Sequence, residues 1–194
     1  MTLKQSSHVI GRRNFLATAS LSAAGLAALA GVASPAHARG QDAAVAEQDA
    51  ALLNAAIALE HEGIAAYTIA AGSGLLTPQV LKVGIQFKGH HEQHNVDLSA
   101  AVRRLGGTPV EARSLAEYGE ELGAASLKTQ EDVLRLALKL ERGAANAYIG
   151  LVGPIGTNDL QVLVARLAAD EAAHAVAFMA ALGEAFPDEA LFFG

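Results

Sequence analysis

Apolar residues recur at spacings of three, four and seven along four long segments of the chain, the periodicity of helices with one buried face. The first segment runs from about residue 43 to 71 and stops at Gly72-Ser73-Gly74. The second opens with Thr77 as N-cap and Pro78 as first helical residue, and ends near Leu105, before Gly106-Gly107. The third opens with the capping pattern Thr129-Gln130-Glu131-Asp132 and runs to about Val152, before Gly153-Pro154. The fourth starts at Thr157 or Asn158 and ends near Leu182, before Gly183. Short turns join the first to the second and the third to the fourth, so each pair reads as an antiparallel hairpin. Helices of this length span about 40 Å, and the linker over residues 106–128 is long enough to travel that distance. The pattern therefore predicts an all-α four-helix bundle made of two hairpins, with a long crossover between the second and third helices. A short helix over 115–122 fits inside the crossover. The tail carries Phe186, Leu191, Phe192 and Phe193 and is expected to pack on the bundle or on a partner chain.

The two hairpins read as copies of each other. "LEHEGIAAY" in the first helix and "LERGAANAY" in the third are offset by 81 residues, which pairs Leu53, Ile57, Glu60, Ile64 and Tyr67 with Leu134, Leu138, Glu141, Ala145 and Tyr148. Between the second and fourth helices the offset is 80, pairing Phe87, His91, His94 and Leu98 with Leu167, Glu171, His174 and Phe178. These spacings keep each set on one helix face. Glu60, Glu141, His94 and the Glu171–His174 pair thus fall inside apolar stripes. Burying an unpaired carboxylate costs several kcal/mol, and four helices that each do so near mid-length require a shared compensator. A pair of divalent metal ions is one such compensator, with carboxylates bridging and imidazoles capping from the side. A buried Glu–His hydrogen-bond network without metal is the alternative.

The pattern resembles the di-metal signature of the ferritin-like superfamily: Glu on one helix, Glu-x-x-His on the next, then the same again. The resemblance covers most of residues 43–183. It implies Glu60, His91, His94, Glu141, Glu171 and His174 as metal ligands, and Tyr67 and Tyr148 as tyrosines two turns beyond the glutamates, serving as donors beside the ligands or as one-electron relays. The chain departs from the signature at His91, which stands where a bridging glutamate is expected. Glu92 does not replace it, because one residue along a helix is a rotation of about 100°. Three carboxylates against two divalent ions leave one positive charge, where four would balance. The departure favours a lone metal, a divalent pair or an anionic bridging ligand over an oxidised di-iron state. His90 lies one turn before His94 and can turn inward. His61 and Glu62 adjoin Glu60 off its face and read as solvated or as supporting residues.

Composition narrows the function further. The chain has no cysteine, which excludes disulfides, thiolate metal sites and iron–sulfur clusters. No basic run interleaved with aromatics suggests nucleic acid. Residues 1–38 read as a leader. Gly11-Arg12-Arg13-Asn14-Phe15-Leu16 is followed by an alanine-rich apolar run to Val32 and by Ser34-Pro35-Ala36-His37-Ala38, a small-x-small cleavage site. This resembles a bacterial twin-arginine export signal, departing from it at Gly11 and Ala17. An uncleaved membrane anchor is the alternative. Loss of Lys4, Arg12 and Arg13 would take the net charge from −6 to about −9 in a mature domain over 39–194.

The expected protein is an exported, periplasmic ferritin-like metal protein holding one or two ions of iron or manganese, with zinc a further candidate. It would handle O₂, peroxide or Fe(II) in oxidative stress or metal homeostasis, with ferroxidase, peroxidase and catalase-like chemistry all open. Its expected partners are metal ions, peroxide or dioxygen and the twin-arginine export machinery, with homo-oligomers open. The competing expectation is a non-catalytic periplasmic stress or structural protein whose bundle has lost its metal. If metal offsets the buried acids, removing it lowers the melting temperature, and Glu141→Gln stabilises the metal-free protein.

Overall fold

The computed structural model describes residues 35–193; the leader expected over 1–38 lies almost wholly outside them. Five α-helices form: α1 (Pro35–Gly72), α2 (Pro78–Arg104), α3 (Leu115–Glu121), α4 (Gln130–Val152) and α5 (Asn158–Leu182). There is no strand among the described residues. The four long helices match the expected segments closely, except that α1 is already helical at Pro35, where the described residues begin, eight residues before the expected start. The alanine-rich run there favours helix, with Gly40 a weak spot.

Local sequence sets most helix ends. Thr129 caps α4 through a capping box: its hydroxyl accepts from the Asp132 N–H at 3.1 Å and the Asp132 carboxylate accepts from the Thr129 N–H at 2.9 Å. Ser114 and Glu117 make the same box on α3. Thr77 and Thr157 are N-caps by position but make no side-chain cap. Tertiary contacts take their place, since the Thr77 N–H donates to Gln130 Oε1 at 2.8 Å and the Thr157 hydroxyl donates to Asp49 at 2.8 Å.

Those two contacts also fix the topology. The α1–α2 turn meets the start of α4, and the α4–α5 turn meets the first half of α1 at Asp49, so α4 runs antiparallel to α1 and parallel to α2. The crossover reaches α4 by climbing α1. Asn54 holds Thr108 O at 3.0 Å and the Val110 N–H at 2.8 Å, His61 Nε2–H donates to Val110 O at 3.1 Å, and Gly119 lies against Ile69. His61, which also accepts from Asn95 Nδ2 at 3.1 Å, therefore straps the crossover down rather than facing solvent.

The α4–α5 turn is anchored by Asp49, fully buried on α1, whose two carboxylate oxygens accept from the Gly156 N–H and the Thr157 hydroxyl, both at 2.8 Å. Gly156 packs closely there: a Cβ would sit 2.5 Å from Val45 Cγ1, so the valine would have to turn away.

The core has two apolar halves. One, around Leu53, Ile57, Leu98, Tyr148, Val164 and Leu167, fills the end near the α4–α5 turn. The other, around Tyr67, Leu134, Leu138, Phe178 and Met179, fills the opposite end. Phe192 and Phe193 from the tail pack on this second half, with the Arg142 guanidinium 4.4 Å from the Phe192 ring centre. The tail is only partly engaged, because Phe186 and Leu191 stay exposed. Between the halves lies a belt of buried acids and histidines.

Candidate metal centre

Each hairpin contributes one glutamate from its first helix and two residues one turn apart from its second. Glu60, His91 and His94 come from α1 and α2, and Glu141, Glu171 and His174 from α4 and α5. All six are buried, with at most 5% of any residue exposed. The structure thus brings together every ligand position read from the sequence.

The donor atoms form two overlapping groups, Glu60–His91–His94–Glu171 and His91–Glu141–Glu171–His174, in each of which one atom per residue lies within 4.8 Å of all the others. His91 and Glu171 belong to both. His91 occupies the middle, with Nδ1 2.7 Å from Glu60 Oε2 and Nε2 3.2 Å from Glu141 Oε1. His94 Nδ1 is 3.0 Å from Glu171 Oε1, and His174 Nδ1 is 3.3 Å from Glu141 Oε2 and 3.4 Å from Glu171 Oε2.

The tyrosines cross between the repeats. Tyr67 donates to Glu141, and Tyr148 donates to Glu60. Each tyrosine therefore fixes the glutamate of the other hairpin, an exchange that spacing within one helix cannot reveal. The outer nitrogens of the flanking histidines are held as well. His94 Nε2 donates to Asp170 at 3.3 Å, and His174 Nε2 is hydrogen-bonded with His90 Nδ1 at 2.9 Å. His90 and Asp170 are themselves 80 residues apart, so the repeat extends one layer beyond the donors. The offset could have pointed to Asp170, which sequence reasoning missed. Both contacts leave Nδ1 of the flanking histidine aimed inward, the arrangement that supporting residues impose on metal-ligating imidazoles.

Gly63 was also missed. It lies on α1 one turn after Glu60, where a Cβ would stand 3.2 Å from His91 Nδ1 and 3.3 Å from Cε1. The repeat-equivalent residue on α4 is Ala144, and the repeat equivalent of His91 is Glu171. The glycine thus provides room for the imidazole that replaces a glutamate at position 91.

Electrostatics separates the acids. Burial opposes ionisation of Glu60, but the hydrogen bond from His91 and the nearby His94 ring outweigh it and hold the carboxyl below its usual range. Glu141 is held low in the same way by His174 and His91 against the effect of burial. Glu171 goes the other way: burial pushes its carboxyl up, and its histidine neighbours do not offset this. Burial depresses the histidines, yet hydrogen bonds to Glu141 and Glu60 push His91 up to about 11, and the facing carboxylates of Glu171 and Glu60 push His94 up to about 10. Burial and the facing carboxylates push both tyrosines well above the ordinary phenol range, so both are donors.

Three buried atoms, His94 Nδ1 and both oxygens of Glu171, make no hydrogen bond. Their neighbours are at ion-pair distance but off the hydrogen-bonding direction. Orphaned atoms on a buried carboxylate and an imidazole, aimed at a shared centre, fit a divalent cation, whose ligands need not lie along N–H bonds. The oxygen and nitrogen donors suit iron, manganese or zinc. The orphaned acid is Glu171 rather than Glu141, so the stabilising replacement expected at Glu141 moves to Glu171.

The family described as Ferritin-like domain matches residues 48–184, which include all six donors and both tyrosines. The chain belongs to this family. Among solved structures it is similar to the conserved hypothetical protein rv2844 of Mycobacterium tuberculosis, at 27% identity and a TM-score of 0.64, over 76% of this chain and 99% of that one. No curated protein matches the chain. Family membership supports a ferritin-like bundle whose buried His/Glu groups could hold metal.

Proposed function

We propose that the protein is an exported ferritin-like metal protein whose bundle core holds one or two ions of iron or manganese and acts on O₂, peroxide or Fe(II). The observation that carries this is the pair of overlapping donor groups sharing Glu171, whose two orphaned oxygens lie between them. Glu60 and His94 would hold one ion, Glu141 and His174 the other, with His91 and Glu171 common to both. Bound metal supplies Lewis acidity and, for iron or manganese, a change of oxidation state. The chain's own residues keep this chemistry dry and oriented. Tyr67 and Tyr148 hold Glu141 and Glu60 in place and present phenols within reach of the centre, while the apolar halves on either side exclude water.

Export is the part that rests on the leader alone. The paired Arg12-Arg13, the apolar run and the Ala36-His37-Ala38 site suit the twin-arginine route and a periplasmic destination. A mature N-terminus at Arg39, found by mass spectrometry, supports export with cleavage; an intact leader on the membrane fraction supports an anchor instead.

The test of the redox reading is anaerobic loading with Fe(II) or Mn(II), followed by absorption spectroscopy as O₂ or peroxide is added. A new absorption band that depends on both metal and oxidant is the expected result. A second reading, a metal-free structural bundle, is favoured by one observation: His91 hydrogen-bonds both Glu60 and Glu141 and, as an imidazolium, offsets one of their two charges without metal. Under that reading the loaded and unloaded spectra are the same.

A further inference from the structure

The geometry points to His91 as a bridging ligand that joins the two halves of the centre through both of its ring nitrogens, as an imidazolate. The inference rests on the metal reading above and says how this chain's departure from the four-carboxylate pattern works. Three observations carry it.

The first is direction. His91 Nδ1 faces Glu60, at 2.7 Å, and is 3.7 Å from Glu171 Oε1, while Nε2 faces Glu141, at 3.2 Å. The two nitrogens of one ring thus look into different donor groups, one toward the glutamate of each hairpin. His94 and His174 each turn only Nδ1 inward and spend Nε2 on Asp170 or His90. Only His91 has both nitrogens at the centre.

The second is charge. Glu60, Glu141 and Glu171 supply three negative charges against the four positive charges of two divalent ions. An imidazolate at position 91 supplies the fourth and restores neutrality in a buried site, where an excess charge is costly. A metal ion on one nitrogen acidifies the other, so a second ion can displace the remaining ring proton. The balance is simple: each nitrogen exchanges its proton for an ion, and the protons pass to solvent.

The third is Gly63. A glycine inside a helix is destabilising relative to alanine. Here a Cβ would stand 3.2 and 3.3 Å from His91 Nδ1 and Cε1, so the ring would have to give by a few tenths of an ångström. The glycine leaves the imidazole its place between the two glutamates.

The test uses the full chain after leader removal, labelled with ¹⁵N-histidine and loaded with ¹¹³Cd(II), with bound cadmium counted by equilibrium dialysis. The bridge predicts two ions per chain and one histidine whose Nδ1 and Nε2 couple to two different cadmium signals and carry no ring proton. His91→Glu, which restores a carboxylate, should keep both ions and the fold while losing that doubly coupled histidine. Gly63→Ala should weaken the second ion about tenfold in the natural chain and have no effect in the His91→Glu background. Two bound ions with His91 coupled through one nitrogen, or keeping a ring N–H, overturn the bridge and leave the metal reading intact. No bound cadmium, with manganese and zinc also failing to bind, overturns both.

Discussion

Metal should enter this core by driving protons out. His91 and His94 are pushed up to about 11 and about 10 by the buried glutamates they face, so both rings are cationic at pH 7 in the metal-free protein. A ligating nitrogen must be deprotonated. Each pH unit between the working pH and the raised value costs about 1.4 kcal/mol per proton, which sets a penalty on the order of several kcal/mol for the two rings together at pH 7. Affinity should therefore rise steeply with pH. The logarithm of the Zn(II) association constant should climb by about two for each unit between pH 7 and 9, with about two or more protons released per loaded centre. Competition against a chromophoric chelator across this range gives the slope, and titration calorimetry in buffers of different ionisation enthalpy gives the proton count. Ordinary histidines, neutral above pH 7, would give a nearly flat profile and almost no proton release. That result would refute the view that buried carboxylates hold the rings charged.

Four other outcomes follow from the same geometry. In the metal-free protein, the raised folded-state values of His91 and His94 contribute stability that is fully present below pH 6.5 and lost as pH rises through about 10 to 11, so thermal melting should fall across that window while the metal-loaded protein stays level. Glu60 and Glu141, held low, contribute stability that is lost as pH falls below the ordinary glutamate range, so acid melting marks the other edge. Glu171→Gln should raise the metal-free melting temperature, because it removes the one acid of the six-residue centre that burial pushes up, and should abolish binding of at least one ion; a lower melting temperature would count against Glu171 as the orphaned charge. Asp49→Ala should cost about 1–3 kcal/mol in urea unfolding by stranding the Gly156 N–H and the Thr157 hydroxyl, yet leave metal stoichiometry unchanged.

The helices and the donor positions could be read from the sequence because both are local or periodic. Gly-rich stops, Pro78 and the Thr129 box mark helix ends within one turn, and spacings of three and seven place Glu60, Glu141 and the residue pairs of α2 and α5 on single faces. The offset of 80 added His91 as the partner of Glu171. What spacing could not give was the pairing between hairpins. Tyr67 to Glu141 and Tyr148 to Glu60 depend on how α1 and α4 pack, as does Asp49 reaching the turn before α5. The orphaned acid could not be read either. Glu60, Glu141 and Glu171 look alike in their stripes, and only the placement of the three histidines, with both His91 nitrogens spent on Glu60 and Glu141, leaves Glu171 as the acid whose ionisation burial still opposes. Gly63 reads as a weak point in a helix until the His91 ring is placed beside it.

The most direct measurement is the metal content of the purified chain after anaerobic incubation with Fe(II) or Mn(II) and removal of loose ions. One to two ions per chain, lost together in a Glu60→Ala, Glu141→Ala double variant that still folds as helix, is the predicted result. Less than about a tenth of an ion per chain after loading, with equal melting curves before and after, would contradict it.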